Sequence, residues 1–239
     1  MGTVRRGGEG VVVSPLVVAV RRQGAVVPEW LGAAVRVLLG LEAVMCLVRL
    51  GFDVLEGELW AQAAAGRVSD TDPGVRRMLA SWSTGTADNA LFFLTAAVFI
   101  AWLYRAHRAA QSIAPGRLTN SPGWTIASWF VPLGSLWMPY QSVRDIWQAS
   151  GPTDDKRPRL VLAWWLLFTV ARWSGLLTGG LATALRTDPG AEVGLYVFFG
   201  VRSVMEATAA VLAVVMVRRL MKRQGQAEQV LDDEWAVPA

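Results

Sequence analysis

The chain has one cysteine and one histidine in 239 residues. With Cys46 alone, no disulfide can close within the chain, and no site needing two thiolates can form. With His107 alone, histidine-rich metal sites and Ser-His-Asp catalysis have almost nothing to work with. Lysine is nearly missing too: Lys156 and Lys222 stand against 21 arginines, which with the abundant Ala, Val and Gly suggests a GC-rich bacterial genome. Charged residues make up only 18%, where a soluble domain carries about a quarter. No Gly-x-x-x-x-Gly-Lys, His-Glu-x-x-His or Gly-x-Ser-x-Gly occurs. These gaps argue against an enzyme and imply no cofactor and no metal.

Hydrophobic residues, in contrast, reach 53% and are gathered in blocks. Four blocks, about 30–50, 89–105, 160–185 and 196–217, suit the roughly 20 helical residues that cross a bilayer core. A fifth, 124–140, is short and interrupted by Pro132 and Pro139. An interior proline removes a helix hydrogen bond, and hydrocarbon offers no water to replace it. The fold class expected is all-α: a polytopic membrane helix bundle of four transmembrane helices plus a Pro-broken re-entrant or half-spanning segment.

Charge counting favours four crossings. With the broken segment returning to its own side and the N-terminus inside, fifteen basic residues lie inside and four outside. A full crossing gives eight inside and eleven outside, against the inward excess that cytoplasmic loops carry. The same flanking arginines account for the net charge of +4 and the pI near 9.8, and the spans exclude a soluble nucleic-acid binder. The protein is expected in the cell membrane, with both termini cytoplasmic.

The organisation then reads as follows. Residues 1–27 are a flexible cytoplasmic tail, since Pro15 and the pair Arg21-Arg22 spoil the short run 11–20 as a cleaved signal. Residues 28–221 form the transmembrane helical domain, and 222–239 a polar, acidic tail. In the acidic outer loop, 55–65 and 74–82 look helical, with Trp60 and Trp82 suited to the outer interface. Residues 141–150 form an amphipathic helix, with Val143, Ile146 and Trp147 on one face, expected on the inner membrane surface.

One stretch carries a family likeness. Trp102, Tyr104, Arg105 and Ala106 close the second span; Gly123-Trp124, Trp129-Phe130-Val131-Pro132 and Pro139 follow. This pattern resembles the domain of unknown function 4328 family, multi-pass membrane proteins mostly from actinobacteria, over about residues 85–220. The family pattern has an Asn shortly after the Tyr-Arg-Ala cluster, where this chain has Ala109 and Ala110. The resemblance implies membrane location and no known activity.

A charge at the bilayer centre costs about 2.5–3.5 kcal/mol on insertion scales, so intramembrane charges are site candidates. Glu42, Arg172 and Glu206 fall near the middles of three spans, and Arg202 lies one turn before Glu206. The expected cluster has Glu42 and Glu206 facing Arg172, with Arg202 as second cation. It is either an ion-paired lock between helices or a polar site for a proton, ion or small charged ligand. Glu42 and Arg49 fall on one helix face, within about 20° of each other, but Arg49 near the span end is expected to snorkel to water.

The broken segment allows two readings as well: a transporter-type half-helix site, or a wedge held by Trp124, Trp129 and Trp137. Arg105, Arg108 and Arg117 are positioned to meet anionic lipid headgroups, and His107 beside two arginines to titrate near neutral pH. The leading functional expectation is a structural or protein-interaction membrane module, as a homo-oligomer or with a membrane protein partner, its surroundings the lipid bilayer. The alternative is a small transporter or channel subunit using the midplane charges. A lipid-acting enzyme ranks third.

Overall fold

The computed structural model describes residues 3–6, 9–12, 27–67, 86–151, 158–185 and 189–236. The chain is dominated by helix: α1 (Glu29–Ala64), α2 (Thr86–Ile113), α3 (Pro122–Ala127), α4 (Met138–Ala149), α5 (Arg159–Leu185) and α6 (Pro189–Ala236). Near the N-terminus, within the segment read as a flexible tail, β1 (Thr3–Arg6) pairs antiparallel with β2 (Glu9–Val12), Thr3 opposite Val12. The β-branched Thr3, Val4, Val11 and Val12 suit that pairing.

Among the described residues, three helical stretches, Glu29–Gln62, Asp88–Ile113 and Val193–Leu231, are long and apolar enough to cross a membrane. The third expected span is covered by α5, a 27-residue helix. The helix α1 does not stop at residue 50 but runs on through the stretch 55–65 that the sequence presents as a separate loop helix. Nothing in that run breaks it until Gly66, whose φ of +67° closes the helix as an L-residue rarely would. The expected helix at 74–82, with Trp82, lies outside the described residues. At the other end of the chain, α6 continues through the stretch read as a polar tail. Its Ala, Glu, Gln and Leu are good helix formers, so polarity there does not mean loss of helix.

Two compact units divide the chain: Ala33–Phe99 with Arg159–Arg218, and Met1–Gly32 with Ile100–Pro158 and Arg219–Ala239. The first is apolar outside and polar within. On α1, Leu41, Val44 and Leu47 are exposed, whereas Cys46 is buried and Glu42 and Arg49 are half-buried. Water would oppose such an arrangement and hydrocarbon favours it. Aromatic contacts knit this unit: the Phe99 and Trp164 rings lie 5.9 Å apart, and Trp164 stacks on Phe168 at 6.1 Å.

The second unit holds the Pro-broken segment. Ser121 caps α3, its side chain accepting from the Trp124 N–H, and Pro122 occupies the first turn, where a missing N–H costs nothing. After α3 come turns and a single 3₁₀ turn, Gly134–Leu136; then α4 opens with Pro139 in its first turn. The two prolines thus punctuate separate short helices instead of kinking one long one. A methyl group at Gly134 would collide with Val131 and Met138, so the chain needs glycine there.

The amphipathic pattern of 141–150 is real, but its apolar face is covered by protein. Val143 and Ile146 are fully buried and Trp147 nearly so. This corrects the expectation of a helix lying on the membrane surface: an apolar stripe does not distinguish lipid from protein as its cover.

Candidate functional site

The charged groups of the first unit converge on Arg49. From α1 its Nη1 donates to Asp88 Oδ2 of α2 at 2.9 Å, and its Nη2 pairs with Glu206 Oε2 of α6. Its Nε donates to Ser203 Oγ at 3.1 Å, and that hydroxyl donates to Asp53 Oδ2 at 3.0 Å. One guanidinium therefore ties three helices, using the fork of donors that makes arginine suited to shared carboxylates. Arg202 adds a second cation, its Nε 3.3 Å from Glu206 Oε1, in an ion pair without hydrogen-bond alignment. Gly175 of α5 leaves room for the Arg202 guanidinium, which a methyl group there would strike.

Of the four residues expected to cluster, the structure brings Arg202 and Glu206 together. Glu42 is within electrostatic range of Glu206 and Arg49, but its hydrogen bond is with Thr95, whose Oγ1 lies 3.0 Å from Oε1. Arg172 is placed differently: it is exposed, with its guanidinium 4.2 Å from the centre of the Phe92 ring. Arg49 takes the bridging position that the sequence predicts for Arg172, with its side chain 26% exposed.

Asp53, Asp88, Thr95 and Ser203 were not singled out as site residues. A signal for part of the set exists in the spacing of α1: Glu42, Cys46, Arg49, Asp53 and Glu56 recur at intervals of four and three, a single stripe on a helix. On α6, Tyr196, Ser203 and Glu206 keep the same spacing, and Tyr196 hydrogen-bonds Glu56. The stripes mark which faces meet. The network contains Arg49 and Arg202 against Glu42, Asp53, Asp88 and Glu206: two guanidiniums for four carboxylates.

The second unit carries the motif residues, and its buried polar side chains include His107, Thr125, Ser150 and Gln224. Trp102 is fully buried, and Tyr104 and Arg105 are half-buried on the same turns of α2. His107 is 2% exposed, and its Nδ1 lies 2.9 Å from Thr125 Oγ1 of α3, so it does not stand in solvent among arginines. Gln224 of α6 donates from Nε2 to Ala106 O at 2.9 Å and to Ser150 Oγ at 3.1 Å. Beside it the Arg223 guanidinium covers Trp147, 4.1 Å from the ring centre. Ala109 and Ala110 are fully buried, small residues within the packing. Pro139 is buried and Trp129 half-buried; Gly123, Trp124, Phe130 and Pro132 are exposed.

No group of three or more metal-ligating side chains occurs among the described residues. A family model, described as a domain of unknown function (DUF4328), matches residues 75–222. No curated protein and no solved structure matches the chain.

Proposed function

The chain belongs to the DUF4328 family, and from that premise we propose that it is a multi-pass, non-enzymatic membrane module with a structural or protein-interaction role. On this reading α1, α2, α5 and α6 cross the membrane, residues 124–140 return to the side they left, and both termini face the cytoplasm of the cell. The distribution of arginine and lysine supports that topology, with fifteen on the inner side and four on the outer.

The observation that carries the functional reading is the closure of the Arg49 network. Its guanidinium is committed to Asp88, Glu206 and Ser203, which turns its fork of donors onto the protein's own groups and not onto a transported anion. Paired charges that bridge helices fix register more than they add stability. A small, register-locked bundle is a platform for another membrane protein or for copies of itself.

A second reading, a small transporter or channel subunit, rests on the carboxylates Glu42 and Glu206 near the middles of their spans, because acids at that depth favour a bound proton or cation. Four helices are few for alternating access, so this reading also requires assembly. Capture of the tagged full-length protein in mild detergent, with mass spectrometry and size analysis, tests both. A stoichiometric partner or a defined homo-oligomer is expected; recovery as a lone monomer overturns both readings.

A further inference from the structure

Large apolar side chains are unevenly placed in the unit that contains Ile100–Pro158. Trp102, Leu103, Val143 and Ile146 are fully buried, yet Trp124, Phe130, Leu133, Leu136 and Trp137 are all exposed, Phe130 by 73% and Leu133 by 72%. Exposed apolar clusters of this kind mark a surface that something covers.

The backbone beneath them indicates what covers it. Residues 128–137 are mostly non-helical, yet most of their amides are hydrogen-bonded internally: Ser128 N to Trp124 O, Trp129 N to Ile126 O, Phe130 N to Ala127 O, Ser135 N to Val131 O, Leu136 N to Leu133 O and Trp137 N to Gly134 O. The Ser135 hydroxyl also donates to Pro132 O at 2.8 Å. A loop tip in water has no need of this economy, whereas a segment touching hydrocarbon must satisfy its own polar groups.

Charge completes the pattern. Between residues 100 and 151 the chain has Arg105, Arg108, Arg117 and Arg144 but a single acid, Asp145, which Arg144 engages at 2.9 Å. Arg108 and Arg117 are exposed. The His107–Thr125 hydrogen bond holds α3 against the turn of α2 that carries Arg108, so cations and aromatic groups issue from neighbouring backbone. Tryptophan favours the bilayer interface, and arginine beside it favours anionic headgroups.

We propose that residues 124–137 form an interfacial wedge seated in a leaflet containing anionic phospholipid, with Phe130 and Leu133 among the upper acyl chains and Arg108 and Arg117 at the headgroup phosphates. The proposal rests on the membrane reading above and names the lipid that this part of the chain selects. Tryptophan, phenylalanine and leucine supply depth; the arginines supply selectivity.

The test uses full-length protein that remains in membranes after an alkaline carbonate wash, since release by carbonate would overturn the membrane reading itself. Phe130→Cys, in a Cys46→Ala background, is labelled with bimane and reconstituted in vesicles of equal parts phosphatidylcholine and phosphatidylglycerol. Leu133→Cys serves if the first variant does not fold. Brominated acyl chains are placed on one lipid or the other. Both are expected to quench the label, phosphatidylglycerol more strongly, with Arg108→Gln and Arg117→Gln each reducing that preference about fivefold, the equivalent of ~1 kcal/mol per charge. Absence of lipid quenching overturns the wedge, whether water, a partner or a second copy covers the patch. Equal quenching by the two lipids, unchanged in the arginine variants, overturns the anionic selectivity.

Discussion

The polar clusters of the two units are built from different groups. Around Arg49 the groups are charged, and the counter-ions come from different helices. Around Gln224 and His107 they are neutral, each hydrogen-bonded to a backbone carbonyl or a hydroxyl within tight packing. A charged network fails when its balance is upset, because an orphaned carboxylate in low dielectric is costly. A neutral network embedded in close packing fails when volume is lost. The difference predicts distinct responses to mutation.

The largest effect is expected at Arg49. Arg49→Gln leaves Asp88 without its cation and Glu206 with only the oblique Arg202 pair, a loss approaching the figure of about 3–5 kcal/mol for a fully buried pair. Membrane abundance and thermal stability in detergent should both fall, and Asp88→Asn in the same chain should restore much of the loss. If Asp88→Asn deepens the defect instead, the balance argument is broken.

In the second unit Ile146→Ala removes a fully buried side chain and should cost about 2–5 kcal/mol through the cavity it leaves. No charge substitution should rescue it, and its unfolding temperature should be insensitive to salt. A strong salt dependence would erase the contrast between the units.

Arg172→Gln provides the small end of the scale. An exposed cation over Phe92 contributes about 0.5–1 kcal/mol, so abundance should change little. A loss as large as that of Arg49→Gln would return Arg172 to the centre of the charge network.

Much of this was legible in the sequence, and the gaps have physical causes. The long apolar helices, the pairing of Arg202 with Glu206 one turn apart, and the shared face of Glu42 and Arg49 follow from helical geometry. Which cation meets which carboxylate between helices does not, because the rotation of one helix against another is set by packing. Arg172 and Arg49 sit in comparable apolar runs, yet one faces outward over Phe92 and the other inward. Asp53 was hidden for a related reason. Apolarity falls before residue 53, which sets the end of the span read from sequence there, while α1 itself runs on to Ala64. The apolar stripe of α4 was visible, but not that protein covers it.

The long-range contacts of Arg49 also impose an order on biosynthesis. Asp88 follows Arg49 by 39 positions and Glu206 by 157. At ~5–20 residues per second, the first carboxylate emerges from the ribosome within seconds, and the second on the order of ten to thirty seconds after the arginine. Until α6 is made, Asp88 is the carboxylate that Arg49 can meet from another helix of the network. Glu206, on α6, is the later-made of the two carboxylates and completes the triad.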